Sequence, residues 1–412
     1  MARGDKRLIR TVRLQNFLSF GPNAEEVELL PLNVLIGPNA SGKSNLIESI
    51  GFLRSSPKDL SIPIRDGGGV SEWLWKGSDA SPVARIDVTV DNPSDPTALR
   101  HTIAFKMVGQ RFELDDEAVE YERPASEDMD DAFFYYRYQQ GHPKICVSIN
   151  EAGETADASG RVQRHLRRRL RREDDIKHDQ SIMSQRQGPE YPEISYLSGQ
   201  YSKIRLYREW NLGRYTPSRV PQKVDLPEDF LEEDASNLGL VLNDLEHKVG
   251  FRNLLIERLK QFHESFSDVS TRLRGGTVQI FLHENGLRQP VPATRLSDGT
   301  LRFLCLMSVL CHPSPPPLIC IEEPEIGLHP DILPMVAELL VEASHNTQLI
   351  VTTHSDVLVD ALTSVPESVV VCEKHDGSTV LKRLQADELK PWLEKYRLGE
   401  LWIRGDLGGT RW

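Results

Sequence analysis

The 412 residues carry 49 Lys and Arg against 61 Asp and Glu, a formal net charge of -12, and 39% of them are hydrophobic. Charged residues at 27% and aromatics at 7% exclude a wholly disordered chain and predict one or two domains with a real core. No apolar run approaches the roughly 20 residues of a membrane-spanning helix, and the acidic balance excludes a uniformly basic nucleic-acid coat while leaving room for a local basic groove.

The first residues, MARGDKRLIR, are basic with no apolar stretch behind them, so no secretion signal is read there and a cytoplasmic location is expected. The alternating stretch Leu8–Leu14, the turn Gly21-Pro22-Asn23, Val27–Leu29 and the apolar run Leu32–Ile36 read as strands. After Gly37–Ser44, the spacing of Leu46, Ile47, Ile50 and Leu53 predicts an amphipathic helix. Short alternating stretches between Ala84 and Phe112, such as Arg85–Val90 and His101–Met107, predict an antiparallel sheet.

Residues 113–131 then carry ten acids and one Arg, and residues 161–172 carry seven arginines, Arg161, Arg164, Arg167, Arg168, Arg169, Arg171 and Arg172. With little apolar periodicity, both runs predict a solvated or mobile insertion. The arginines can alternatively lie on phosphates or pair with the acidic run. Between Phe230 and Val269 two helices are expected, one with Leu238, Val241, Leu242 and Leu245 on a face, the other with Leu255, Leu259 and Phe262. Val278, Ile280 and Leu282 alternate ahead of Glu284-Asn285-Gly286, which predicts a hairpin. From Ala293 to Leu362, helix and strand alternate again. The five cysteines, Cys146, Cys305, Cys311, Cys320 and Cys372, include no Cys-x-x-Cys pair and read as buried thiols.

Four segments carry chemistry. Gly37-Pro38-Asn39-Ala40-Ser41-Gly42-Lys43-Ser44 matches G-x-x-x-x-G-K-[ST] between an apolar strand and an amphipathic helix, the setting that the phosphate-binding loop requires. Backbone N–H groups there close around phosphate oxygens, Lys43 reaches the β and γ phosphates, and the Ser44 hydroxyl can ligate Mg²⁺. Leu318-Ile319-Cys320-Ile321 delivers Glu322 and Glu323 at the end of an apolar strand; Glu322 is expected in the Mg²⁺ shell and Glu323 as the group that accepts a proton from, or orients, the attacking water. Gln348-Leu349-Ile350-Val351-Thr352-Thr353-His354 is another apolar strand with a titratable end, which places His354 near the γ-phosphate. Leu296-Ser297-Asp298-Gly299-Thr300 opens a helix with Ser297 as its N-cap.

In this order the motifs resemble the ABC-type ATPase heads of the RecF/SMC/OLD branch, especially its small stand-alone predicted ATPases of AAA type. Gly37–Ser44 matches Walker A, Leu296–Thr300 the signature, Ile319–Glu323 Walker B, Gly327-Leu328-His329-Pro330 the D-loop and His354 the switch histidine, while Ile9–Phe17 resembles the first strand of that branch. The likeness covers about the first 60 and the last 120 residues.

It implies an α/β fold, a P-loop head with a mixed central sheet, an added antiparallel β subdomain and a helical or insertion subdomain. The expected parts are residues 1–58 and 291–412 for the ATPase lobe, 59–225 for the β subdomain with an insertion at about 113–190, and 226–290 for the helices and hairpin. It also implies ATP hydrolysis with Mg²⁺, a nucleotide-binding set of Gly37 through Asn45, and catalytic roles for Lys43, Glu323 and His354. An ATP-dependent homodimer follows, in which Ser297 and the N–H of Gly299 meet the γ-phosphate of the partner's ATP. Three features depart from the commonest family form. Asp298 stands where Gly is usual, Glu322 where Asp is usual, and the Q-loop glutamine has Gln200 as its candidate.

Ser297 lies 253 positions after Ser44, too far for a transporter's compact subunit. Long coiled coils are missing, and only about 50 residues follow Leu362, too few for a further nuclease core. A DNA-associated ATPase of repair or genome maintenance is expected, with a regulatory ATPase of an anti-phage or toxin-like system, acting on a separate effector protein, as the alternative. A scaffold that uses ATP only to dimerise is the third reading.

Overall fold

The computed structural model describes residues 6–78, 81–92, 95–124, 132–139, 142–149, 154–156, 162–164, 167–172, 176–177 and 179–409. Its centre is a six-stranded sheet in the order Arg205–Tyr207, Leu318–Glu322, Gln348–Thr352, Leu32–Ile36, Val369–His375 and Ser378–Arg383. The first five strands run parallel, and only the last is antiparallel to its neighbour. All five residues of Leu32–Ile36 and of Gln348–Thr352 are buried, as strands covered on both faces must be.

The two faces of this sheet feed two cores. Val34, Ile36, Ile319, Ile321 and Val351 pack with the helices Leu238–Glu246 and Phe251–Phe262 and with the signature helix, Asp298–Leu310. Leu35, Leu318, Cys320, Ile350 and Val370 pack with the helix Lys43–Ser55 and with a second sheet. That sheet has eight strands, in the order Arg167–Arg172, His142–Ile149, Phe134–Gln139, Arg111–Tyr121, Leu99–Val108, Ala84–Val90, Ile9–Gln15 and Val27–Glu28, and its paired strands are antiparallel. A smaller sheet joins Phe266–Arg274, Thr277–Glu284, Gln222–Lys223 and Val291–Pro292.

Two expectations change here. The first part of the acidic run is not a solvated insertion but part of the strand Arg111–Tyr121, with Leu114, Ala118, Val119 and Glu117 buried. The arginine run forms a strand at the sheet edge, where Leu170 pairs with Cys146 in backbone register. Arg161 and the other parts of the predicted insertion at 125–131, 140–141, 150–153, 157–160, 165–166, 173–175 and 178 lie outside the described residues.

The tight hairpin turns at Gly275-Gly276, both with positive φ, whereas Glu284-Asn285-Gly286 leads only into the short pairing with Val291–Pro292. Cys305, Cys320 and Cys372 are buried, and burial pushes the thiols of Cys305, Cys311 and Cys372 up to about 12.

Candidate functional site

The carboxyl ends of the parallel strands share one rim, where the phosphate loop, Glu322 and Glu323, and His354 emerge. Leu32–Ile36 runs into the phosphate loop, whose glycines are required by backbone geometry. Gly37 has φ 146 and a Cβ there would sit 2.2 Å from the Cys372 carbonyl, while Gly42 has φ 102 and its Cβ would meet the Thr379 hydroxyl at 2.2 Å. Thr379 donates to the Ser41 carbonyl (2.8 Å), and Asn45 Nδ2 donates to Ser19 (2.7 Å), so neighbouring segments brace the loop. Asn39, Ala40 and Ser44 are exposed at its mouth, and Pro38 is half-buried. Lys43 is buried, and its ammonium donates to the carbonyls of Gly37 (2.8 Å) and Pro38 (3.0 Å). Burial pulls its pKa below the usual lysine value, an effect opposed by Glu323, Glu322 and Glu325 among its neighbours.

Glu322 ends its strand facing the loop. Its Oε2 accepts from the Ser44 hydroxyl (3.1 Å) and its Oε1 from Arg208 Nε (2.9 Å), while Arg208 Nη2 donates to Glu48 on the helix after the loop (2.6 Å). Burial would lower the Arg208 pKa, but Glu48 and Glu322 outweigh it and hold the guanidinium above its ordinary value. A hydroxyl and a carboxylate that converge beside a phosphate loop are hard oxygen donors, and these fit Mg²⁺. The extra methylene of Glu322 relative to Asp therefore does not keep it from Ser44.

Glu323 follows in the left-handed region, φ 46, a backbone conformation that persists only where surroundings impose it. Its N–H donates to the Thr352 carbonyl (3.0 Å), and its carbonyl accepts from Arg302 Nη2 (3.1 Å). Its carboxylate lies 3.7 Å from His354 Nε2, with both side chains more than a third exposed. His354 stands two residues past its strand, positioned by Glu325, whose Oε1 accepts from the Thr353 hydroxyl (2.7 Å) and the His354 N–H (2.8 Å). The acid and the imidazole thus stand beside each other at the rim.

Ser297 caps the signature helix by accepting from Thr300 N (3.1 Å). Asp298 turns away from the helix end to pair with Arg219, itself buried and bonded to the carbonyls of Leu212 (2.9 Å), Ala293 and Leu296. Asp298 is thereby an anchor of the signature loop, which accounts for an acid at that position. Gly299 lies against the D-loop, where a Cβ would approach the Gly327 carbonyl to 2.5 Å.

Gln200 is not part of this rim. It sits in the helix Pro192–Tyr201 and lines a cavity of about 980 Å³ with Lys203, Phe230 and His312, which shares no residue with the phosphate loop. The side chain at the end of the strand beside Walker B is Arg208, a residue that sequence reasoning missed along with Arg219, Arg302 and the strap role of Glu325.

A profile of the family described as "AAA domain, putative AbiEii toxin, Type IV TA system" matches residues 32–360. The chain belongs to this family. It is an ATPase, with a mixed α/β P-loop fold shared with SMC heads. An SMC head solved bound to the C-terminal winged-helix domain of ScpA superimposes with a TM-score of 0.54 at 15% identity, covering 92% of this chain and 99% of that one. An SMC head with an extended coiled coil, bound to the C-terminal domain of ScpA derived from Pyrococcus furiosus, gives 0.54 at 13% identity over 94% and 99%. A protein of Helicobacter pylori described as an ATP/GTP phosphatase is 22% identical over 404 residues, covering 91% of this chain and 95% of its own. Among the described residues no helix is long and apolar enough to cross a membrane.

Proposed function

We propose that two copies of this ATPase close on two ATP molecules, that hydrolysis lets them part, and that the closed dimer acts on DNA. The observation that carries the dimer is the signature helix: Thr300–Leu310 are all buried, yet its N-terminus presents Ser297 and Asp298 exposed at the surface. A helix end offers unsatisfied N–H groups to an anion, and a second protomer's triphosphate supplies one.

Within a protomer, Gly37 through Asn45 cradle the phosphates and Lys43 turns its ammonium from loop carbonyls to phosphate oxygens. Ser44 and Glu322 are the residues that would hold Mg²⁺, which when bound offsets charge on the phosphates. Glu323 orients a water and accepts its proton as the oxygen attacks the γ-phosphorus and ADP leaves, while His354 holds its place at the γ-phosphate and steadies the Glu323 carboxylate. Differential affinity for ATP over ADP then drives the cycle.

The resemblance to RecF and SMC heads and the run of arginines in the edge strand Arg167–Arg172 support DNA as the partner. The family description, which names a putative toxin of a type IV toxin–antitoxin system, favours the second reading, control of a separate effector protein. The two readings part in one experiment, the ATPase rate with duplex DNA, single-stranded DNA and RNA at two salt concentrations. Stimulation by DNA that falls steeply with salt is expected from counterion release. A rate indifferent to every nucleic acid at both salts contradicts DNA as partner and selects the effector reading.

A further inference from the structure

The signature helix is tied to its own protomer's catalytic loop at two points. Gly299, at its first turn, is packed on the Gly327 carbonyl so closely that no Cβ fits. Arg302, about one turn further and 5% exposed, reaches the Glu323 carbonyl at 3.1 Å. Its guanidinium lies 5.0 Å over the Trp210 ring, and Trp210 stacks on Tyr207 with centroids 5.3 Å apart and planes 17° from parallel. Between those two rings in sequence stands Arg208, which grips Glu322. One buried guanidinium thus touches the backbone of the catalytic base and, through the Trp210 and Tyr207 rings and the peptide bond to Arg208, is linked to the metal-side acid Glu322.

We infer that Arg302 is a positioning residue that transmits engagement of the signature helix to Glu323 of the same protomer, so that the two ATP sites of the dimer read each other's occupancy. The inference rests on the proposed sandwich. In that arrangement the helix N-terminus of one protomer meets the ATP bound by the other, whereas Arg302 acts on the Glu323 facing its own ATP. The left-handed backbone at Glu323 is the element being set. A small shift of the helix reaches it through one hydrogen bond rather than through a mobile side chain. Such coupling is reciprocal by linkage.

The test is Arg302→Met and Arg302→Lys in the full chain, read by ATP affinity, the ATP dependence of the rate, and sedimentation with Mg²⁺ and ATP. The parent is expected to show a sigmoidal rate curve. Arg302→Met is expected to keep its ATP affinity and to lose about 10-fold or more of kcat, the scale of one charge-assisted hydrogen bond. It should give a curve without cooperativity and persist as an ATP-bound dimer, with Lys restoring part of the rate.

A kcat and curve shape like the parent's overturn the inference, as does a variant that binds ATP but stays monomeric, since Arg302 would then maintain the signature rather than the base. Should Arg302→Met melt below the assay temperature, Trp210→Leu, which removes the ring beneath the guanidinium, is read the same way. If Glu323→Gln with Mg²⁺ and ATP never dimerises, the sandwich itself falls and takes the coupling with it. If it dimerises while Arg302→Met behaves as the parent, the coupling alone is wrong.

Discussion

Two clusters of the same residue types, one in each sheet, have opposite fates. In the eight-stranded sheet Glu117 is fully buried, accepting from the Ser181 hydroxyl (2.5 Å) and the Ile182 N–H (2.9 Å), with His101 Nε2 at 3.6 Å and His101 Nδ1 at 3.2 Å from the Tyr201 hydroxyl. Ser, His and Glu stand together as in a hydrolase, yet the serine is bonded to the carboxylate instead of the imidazole and all of it is sealed. The imidazole does not take up the serine's proton, and all three side chains are buried. At the rim of the six-stranded sheet, Glu322, Glu323 and His354 are partly exposed and held by partners that a ligand can replace. Accessibility and exchangeable partners, rather than residue type, separate a reaction site from a structural lock.

The sharpest way to break this contrast is Lys43→Ala, which should weaken nucleotide binding about 100-fold or more, since removing one member of a desolvated charge pair costs roughly 2–5 kcal/mol; titration with a fluorescent ATP analogue reads it. Next, Glu323→Gln should lower kcat by about 10²–10⁴-fold, the range of a positioned general base, with its melting temperature unchanged. Glu117→Ala should do the reverse. Leaving the buried Ser181 hydroxyl and Ile182 N–H without their acceptor should destabilise the fold by about 3–5 kcal/mol in a denaturant titration, with ATP affinity kept. A loss of hydrolysis in Glu117→Ala under conditions where it is fully folded would erase the distinction. The smallest effect is expected at Glu325, where Ala removes the strap to Thr353 and His354 and should cost kcat about 10-fold, or roughly 1.4 kcal/mol, with ATP affinity nearly unchanged.

What was legible in the sequence is what lies within one strand, loop and helix. The phosphate loop, the Walker B acids and His354 each combine an apolar run with a few polar residues at its end, and the fold brings them to one rim because parallel strands share a direction, while the Ser297 cap is a local signal at the start of a helix. Arg208, Arg219 and Arg302 were not legible. Arg208 meets Glu322 across 114 positions and Arg219 meets Asp298 across 79, and a lone Arg after a short strand carries no local signature. The acidic stretch misled for a related reason. Glu117 is a buried acid in a strand, its oxygens bonded by partners from a distant segment, and composition reads such a residue as solvent-facing. Gln200 offered the right side chain on the wrong element, a helix whose end faces another cavity.

The central claim is that ATP joins two copies of the chain through the exposed end of the signature helix. Sedimentation velocity of Glu323→Gln with saturating Mg²⁺ and ATP tests it most directly, with Ser297→Arg added in the same background. The single variant is expected to run as a dimer with ATP and as a monomer with ADP, and the added arginine to return it to monomer while ATP still binds. A Glu323→Gln protein that binds ATP yet remains monomeric, or a dimer that ignores Ser297→Arg, contradicts the account.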